Sequence, residues 1–447
     1  MRYLPHTEDE IQQMLQTIGA TDVESLFKSI PTEFRSKSNI DIGDGCSELE
    51  LTEHLEELTL RNSCSSDFAS FLGAGAYRHY IPAVVSELAS RSEFVTPYTP
   101  YQPEISQGTL QVLFEYQSMI ARLFGMDVSN ASHYSGATAC ADAALMARRI
   151  GKKRHKIILP DNLHPEYREV LATTLGVDGL TVIPSKDGCL DKSKIMKHLG
   201  EDVAAVIVQY PNFFGIVEDM SEIATSTHNA GALLISVTPE PLSLGILNHP
   251  GQWDADIAVG EGLSFGLPVS FGGPTLGIFT TKNKFVRQMP GRICGKTVDV
   301  DGKGSYTLTL STREQHIRRE RATSNICSNQ ALCATTAAIY LASLGKQGIR
   351  ELSLRNASNA AYAKRVLASV NGVTLPFNSA TFNEFVIKTN KPAADVIQAL
   401  ENELILGGVD LGRWFSNMND HILVCCTELN SKKEIDSYAS ILTEILS

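Results

Sequence analysis

The segment HYSGATACADAAL (133–145) sets Ser135, Gly136 and Thr138 where a helix begins. Free backbone N–H groups and the positive end of the helix dipole suit such a site to a phosphate. A plain N-cap, with glycine for close packing, explains the same residues. A second group lies in FLGAGAYRHYIPAVVSELASRSEFVTPYTPYQPEISQG (71–108), where Tyr77, His79, Tyr80, Tyr98 and Tyr101 fall within 25 residues, with Arg78 between the first two. Their rings and polar tips suit the lining of a pocket for a small polar substrate or the apolar arm of a carrier, although loop tyrosines also serve as anchors. The third group is STREQHIRRERATSNIC (311–327), with Arg313, His316, Arg318, Arg319 and Arg321, then Asn325. Guanidinium groups bind carboxylate or phosphate bidentately. The alternative is a solvated helix face, on which Glu320 pairs with His316 at four-residue spacing.

The elements around these groups follow from periodicity. Thr7 and Glu10 make a capping-box pattern ahead of Ile11, Met14, Leu15 and Ile18, so the chain is expected to open with an amphipathic helix, and ELELTEHLEELTL to form a second. From about 109 a long helix is followed by strand-length apolar runs, KIILP, GLTVIP, VAAVIVQYP, GALLISV and ADIAVG, with helical stretches between them. Strands recurring with helices predict an α/β domain, a doubly wound, mostly parallel sheet covered on both faces. After Gly345 the pattern changes to that of a smaller α+β domain, joined by a helix around 329–343. The expected organisation is 1–108 as N-terminal helices and a Pro/Tyr-rich arm, 109–340 as the large α/β domain and 341–447 as the small domain.

Composition excludes several classes. With 43% hydrophobic and 20% charged residues the chain is globular. A net charge of −11, without a basic stripe, argues against a nucleic-acid partner. Nine scattered cysteines, without a CxxC pair, suggest neither a disulfide framework nor a zinc site, and point to a reducing cytoplasm. The polar, acidic N-terminus does not resemble a signal peptide, and no apolar run reaches the ~20 residues of a membrane span. No G-x-G-x-x-G follows a first strand, which excludes a nucleotide-binding dehydrogenase.

The loop GEGLSFGLPVSFGGPTLG (260–277) follows the run ADIAVG and is similar to the lysine loop of a type I pyridoxal-phosphate enzyme, yet no lysine lies between Lys197 and Lys282. Such an enzyme also needs a carboxylate opposite the pyridine nitrogen. The corresponding strand offers Ser236, Val237 and Thr238 instead. With FLGAGAYRHYIPAVV, YTPYQPEISQGTLQVLFEYQSMIARLFGMDVSNAS, FGLPVSFGGPTLGIF and STREQHIRRERATSNICSNQALCA, the sequence resembles, over nearly its whole length, the N-terminal half of the glycine-cleavage P-protein family.

That resemblance implies a type I pyridoxal-phosphate-dependent transferase-like fold. It implies a protein of two homologous halves, here made as separate subunits. The partner half carries the Schiff-base lysine in a His-Lys-Thr triplet, which an ungapped match places at Gly262, Leu263 and Ser264. This chain is then the lysine-less subunit, with no covalent cofactor and Ser135, Gly136 and Thr138 as a vestigial phosphate loop. Pyridoxal 5'-phosphate sits in the partner, glycine is decarboxylated there, and the aminomethyl group passes to the lipoyl arm of the H-protein. Because type I sites form across a dimer interface, Tyr77, Arg78, His79, Tyr98, Tyr101, Arg313, His316 and Asn325 are candidates to complete the partner's site. A pure scaffold and a stand-alone pyridoxal-phosphate enzyme are the rival expectations.

Overall fold

The structure, a computed structural model, describes residues 5–38, 42–43, 45–62 and 67–447, so Cys64 lies outside the described residues. Two compact units emerge, Met1–Ser63 and Cys64–Ser447. In the first, α1 (Glu8–Thr17) starts at the expected box: the Thr7 N–H donates to Glu10 at 2.7 Å and the Glu10 N–H to Thr7 Oγ1 at 3.3 Å. The second helix, α2 (Glu48–Thr59), is capped the same way by Ser47 and Glu50.

The second unit is organised by a seven-stranded sheet. Its strands are β1 (Val128–Ser129), β2 (Lys156–Pro160), β3 (Leu180–Ile183), β4 (Val203–Gln209), β5 (Leu233–Thr238), β6 (Ile257–Glu261) and β7 (Gly277–Thr281). The spatial order is β1-β7-β6-β5-β4-β2-β3. Strands β2 to β6 run parallel, and they are the five apolar runs of the sequence. At one edge β7 and β1 are antiparallel additions.

The covering helices are α3 (Gln107–Phe124), α4 (Gly136–Gly151), α5 (Pro165–Leu175), α6 (Lys192–His198), α7 (Ser221–Asn229) and α8 (Ala331–Leu367). Alternation along each strand decides which face a residue feeds. Ile157, Leu159, Ile235, Val237 and Phe279 pack with α4 and α5 on one face. On the other, Ile158, Val206 and Leu234 meet α6 and α7, while Ala258 and Ile278 meet α3 and α8. The sheet is therefore covered on both faces, as a doubly wound fold requires.

A hairpin, β8 (Ile293–Val298) with β9 (Gly304–Thr309), follows the sheet. The C-terminal part holds a small antiparallel sheet of β10 (Val373–Thr374), β11 (Glu384–Thr389), β12 (Val409–Asp410) and β13 (His421–Cys425), in the order β10-β11-β13-β12. It packs on α9 (Ala393–Asn402) and α10 (Lys432–Leu446). The long α8 joins the two parts and breaks at Gly345, whose φ of 60° is a conformation only glycine adopts easily. Its first half carries Ala334, Ala337 and Tyr340 into the large core. The second half carries Ala360, Ala363 and Leu367 into the small one. Ala69–Ser70 pairs in parallel with Ile405–Leu406, so the Pro/Tyr-rich arm is anchored on the C-terminal part from its first residues. All eight cysteines among the described residues are free.

Candidate functional site

The start of α4 lies beside the end of β6. Ser135 Oγ accepts the Thr138 N–H at 3.2 Å and Thr138 Oγ1 accepts the Ser135 N–H at 3.1 Å, closing a capping box. The Gly136 N–H, still free by that count, donates to Glu261 Oε2 at 2.9 Å. A Cβ on Gly136 would stand 2.1 Å from Tyr167 Oη and 2.9 Å from the Gly260 carbonyl oxygen, so glycine is required by close packing. The N-cap explanation of Ser135, Gly136 and Thr138 is thus realised in the geometry.

The residues present do not fit a covalent pyridoxal group. Leu263 is buried among apolar side chains, and Ser264 Oγ donates to Glu240 Oε2 at 2.9 Å. The Ser236 and Thr238 hydroxyls are buried and find no hydrogen-bond partner among the described residues. The position matched to the Schiff-base lysine is Leu263, and the strand matched to the pyridine carboxylate offers Ser236, Val237 and Thr238. Glu261 is the residue that sequence reasoning passed over. The one signal for it is an acid between two glycines at the end of an apolar strand.

The arm sends two of its candidates inward. Tyr77 Oη donates to Glu384 Oε2 at 2.8 Å, and the Ala74 N–H donates to Oε1 at 2.7 Å. Burial lifts the Glu384 carboxyl to about 7, against those two hydrogen bonds. His79 lies between Glu240 and Glu428, 2.9 Å from an oxygen of each. The Tyr80 N–H and Asn356 Nδ2 also donate to Glu428, at 2.6 and 2.9 Å. Burial alone would depress the imidazole pKa, but the two carboxylates hold it at about 10. Arg78, between them, is half-buried. Tyr98 and Tyr101, by contrast, are 79% and 64% exposed. The Tyr101 ring lies 5.5 Å from the buried Arg292 guanidinium, which also donates to Thr99 Oγ1.

The arginine-rich stretch is not the single helix its spacing suggests. It runs as a 3-10 turn Ser311–Arg313, one helical turn Gln315–Arg318 and a second 3-10 turn Arg319–Arg321. Positive φ at Leu310 (55°) and Arg319 (54°) bounds these pieces. His316 Nδ1 accordingly lies 3.7 Å from Glu314, and Glu320 pairs with Arg321. Arg313 is buried, its Nη2 donating to the Gly291 carbonyl at 3.0 Å, Nε to that of Leu310 at 2.9 Å and Nη1 to that of Met289. Asn325 stays exposed on a loop pinned to α4. Arg149 holds the Thr323 carbonyl at 2.6 Å, and Ser324 donates to Asp142 at 2.5 Å. Asp142 also meets His133 Nε2 at 2.9 Å.

These contacts gather three loops around the turn that opens α4. The Ala131 N–H bonds to the Arg292 carbonyl, Thr275 Oγ1 to the Tyr134 carbonyl and the Cys327 N–H to Tyr134 Oη. On the outside stand Tyr98, Tyr101, Ile105, Val269 and the fully exposed Phe271. Exposed aromatic and aliphatic side chains of this kind suit a protein interface. No cluster of metal-ligating side chains occurs among the described residues, and none of their helices is long and apolar enough to cross a membrane.

The family model of the glycine cleavage system P-protein matches residues 1–442. The probable glycine dehydrogenase (decarboxylating) subunit 1 of Desulforamulus reducens is 49% identical over the full length of both chains, and that of Moorella thermoacetica 48%. A crystal structure of glycine decarboxylase (P-protein) of the glycine cleavage system, in inhibitor-bound form, matches the whole of both chains with a TM-score of 0.91 and 43% identity. A sphingosine-1-phosphate lyase from Burkholderia pseudomallei matches 93% of this chain and 94% of its own, with a TM-score of 0.67 at 13% identity, a likeness of fold alone.

Proposed function

Because the chain belongs to the glycine cleavage system P-protein family, we propose that it acts as subunit 1 of glycine dehydrogenase (decarboxylating), the member of the pair that carries no cofactor of its own. The lysine-bearing homologue, subunit 2, holds pyridoxal 5'-phosphate, which supplies the electron sink for decarboxylating glycine. The aminomethyl group is then accepted by the lipoyl arm of the H-protein. The complex works in the cytoplasm, in keeping with scattered free cysteines and an acidic surface.

The observation that carries this reading is the contrast between a filled interior and an aromatic rim. Leu263 and Ser264, which the family match sets at the missing Schiff-base triplet, are buried, as are Glu261 and Tyr167. On this reading Tyr98 and Tyr101, with Arg78, His316 and Asn325, are the residues this chain lends to the partner's cleft, and the exposure of Tyr98 and Tyr101 leaves them free to do so. Tyr77, His79 and Arg313 are buried, and on this reading they hold the folded backbone of the segments that carry those residues.

The test uses the co-expressed pair. Tyr98→Phe and Tyr101→Phe each remove one hydroxyl and keep the ring, so subunit association is expected to persist. A lost hydrogen bond at the substrate or carrier lowers glycine-dependent carbon dioxide exchange by about 10-fold. Unchanged exchange in both removes these tyrosines from the site. The burial of Tyr77, His79 and Arg313 favours a second reading, a scaffold that only stabilises its companion. Harmless rim substitutions throughout would select it.

A further inference from the structure

Three backbone donors from separate segments converge on the Glu261 carboxylate, which is only 6% exposed. The Gly136 N–H, at the first turn of the 16-residue α4, reaches Oε2 at 2.9 Å. The N–H groups of Leu263 and Leu276 reach Oε1 at 3.2 and 2.8 Å. Leu263 and Leu276 lie at the two ends of the loop that follows β6, and the Gly262 N–H closes the loop on the Leu276 carbonyl at 2.7 Å. Each of these three hydrogen bonds is a backbone N–H aimed at the carboxylate, the arrangement that binds an oxyanion when it arrives from solution.

We propose that Glu261 is the built-in anion of a retained phosphate-type cradle: the chain keeps the donors of a small-oxyanion site and fills it with its own carboxylate. The cradle therefore has no need of an external phosphate, and a phosphorylated cofactor finds no place in it even without a covalent bond. The same carboxylate clasps both ends of loop 262–276, whose tip presents Val269 and Phe271 to solvent. Glu261 is thus a positioning residue for part of the exposed rim. The inference rests on hydrogen-bond geometry within this chain, so its failure leaves the division of labour between the two subunits untouched.

Removing the internal anion should make the site accept an external one. In the purified full-length chain, Glu261→Ala is expected to lower the thermal midpoint by roughly 5 °C, as a lost buried anion leaves three donors unmatched. Inorganic phosphate, titrated against sodium chloride at equal ionic strength, should restore at least half of that loss saturably. The parent chain should show no saturable response over the same range. A parent midpoint that rises with phosphate as steeply as that of the variant overturns the proposal, as does an Ala variant indifferent to phosphate. Should Glu261→Ala yield no folded chain, Glu261→Gln decides: it keeps the volume, loses the charge and is expected to melt below the parent without responding to phosphate. A Gln variant as stable as the parent shows that no anion is needed there.

Discussion

Replacing His79 with leucine is expected to destabilise the chain by on the order of 3–5 kcal/mol, the usual cost of removing one partner from a buried charged pair. The imidazolium stands between Glu240 and Glu428, whose side chains are 3% and 7% exposed. Without it two buried carboxylates face each other with no cation between them. Asn356 and the Tyr80 N–H still donate to Glu428, and Ser264 to Glu240, yet those neutral donors do not replace a charge. Urea denaturation at pH 7 measures the loss directly.

The pH dependence separates charge from packing. His79 titrates at about 10 in the folded chain, above the 6.5 of an ordinary histidine, so the native state holds its proton more tightly. Its contribution is complete below about pH 6.5 and is lost as pH rises through about 10. Glu384 acts with the same sign at lower pH. Burial raises it to about 7 from 4.5, so the native state is favoured while that carboxyl is protonated, and the benefit disappears as pH rises from 4.5 through about 7. The parent should therefore lose stability in two stages as pH rises, the first between about 4.5 and 7 and the second between about 6.5 and 10. His79→Gln should abolish the upper stage and leave the lower one, as read from denaturation at pH 5, 7 and 9.5. A slope between pH 7 and 9.5 that survives in the Gln variant would assign it to other groups.

Arg313→Met is expected to cost on the order of 3 kcal/mol, although methionine fills much of the same volume. The guanidinium fork satisfies carbonyls of Met289, Gly291 and Leu310, and their removal leaves buried acceptors without donors. Lysine should recover only part of the loss, because one ammonium does not reproduce a planar fork. The three carbonyls flank β8 and the 311–313 turn, so the change also loosens the segment carrying His316. Thermal denaturation of the Met and Lys variants gives the ranking. Equal stability of Lys and parent would show that charge alone, and not the fork, holds this turn.

How much of this was legible in the sequence depended on range. The parallel strands β2 to β6 are near-continuous apolar runs because both faces are covered, and such runs stand out. The edge strands do not stand out: β1 has two residues, and β7 begins on the last residue of the glycine-rich loop. The β8–β9 hairpin, joined through DVDGKG, was likewise absent from the periodic pattern. The spacing of the arginine stretch suits a helix, but spacing carries no information about φ, and Leu310 and Arg319 in the left-handed region divide it.

The sequence marks the three candidate segments but not the orientation of their side chains. Nothing local marks Tyr77 as inward when its partner Glu384 lies 307 residues away, or His79 when Glu240 and Glu428 lie 161 and 349 residues away. The Gly136–Glu261 contact spans 125 residues. The missing lysine was legible for the opposite reason, since an absence from a whole interval needs no fold to be seen. The exposed Tyr98 and Tyr101 were legible as well, in a stretch whose prolines and tyrosines suit a loop surface.

Borohydride reduction of this chain and its lysine-bearing partner, separately and after mixing, followed by mass spectrometry of each polypeptide and assayed beside glycine-dependent carbon dioxide exchange, decides which chain owns the cofactor. The expected result is a reduced pyridoxyl adduct on the partner alone, with exchange appearing only when both chains are present. An adduct on a lysine of this chain, together with decarboxylation of glycine by the chain in isolation, would contradict it.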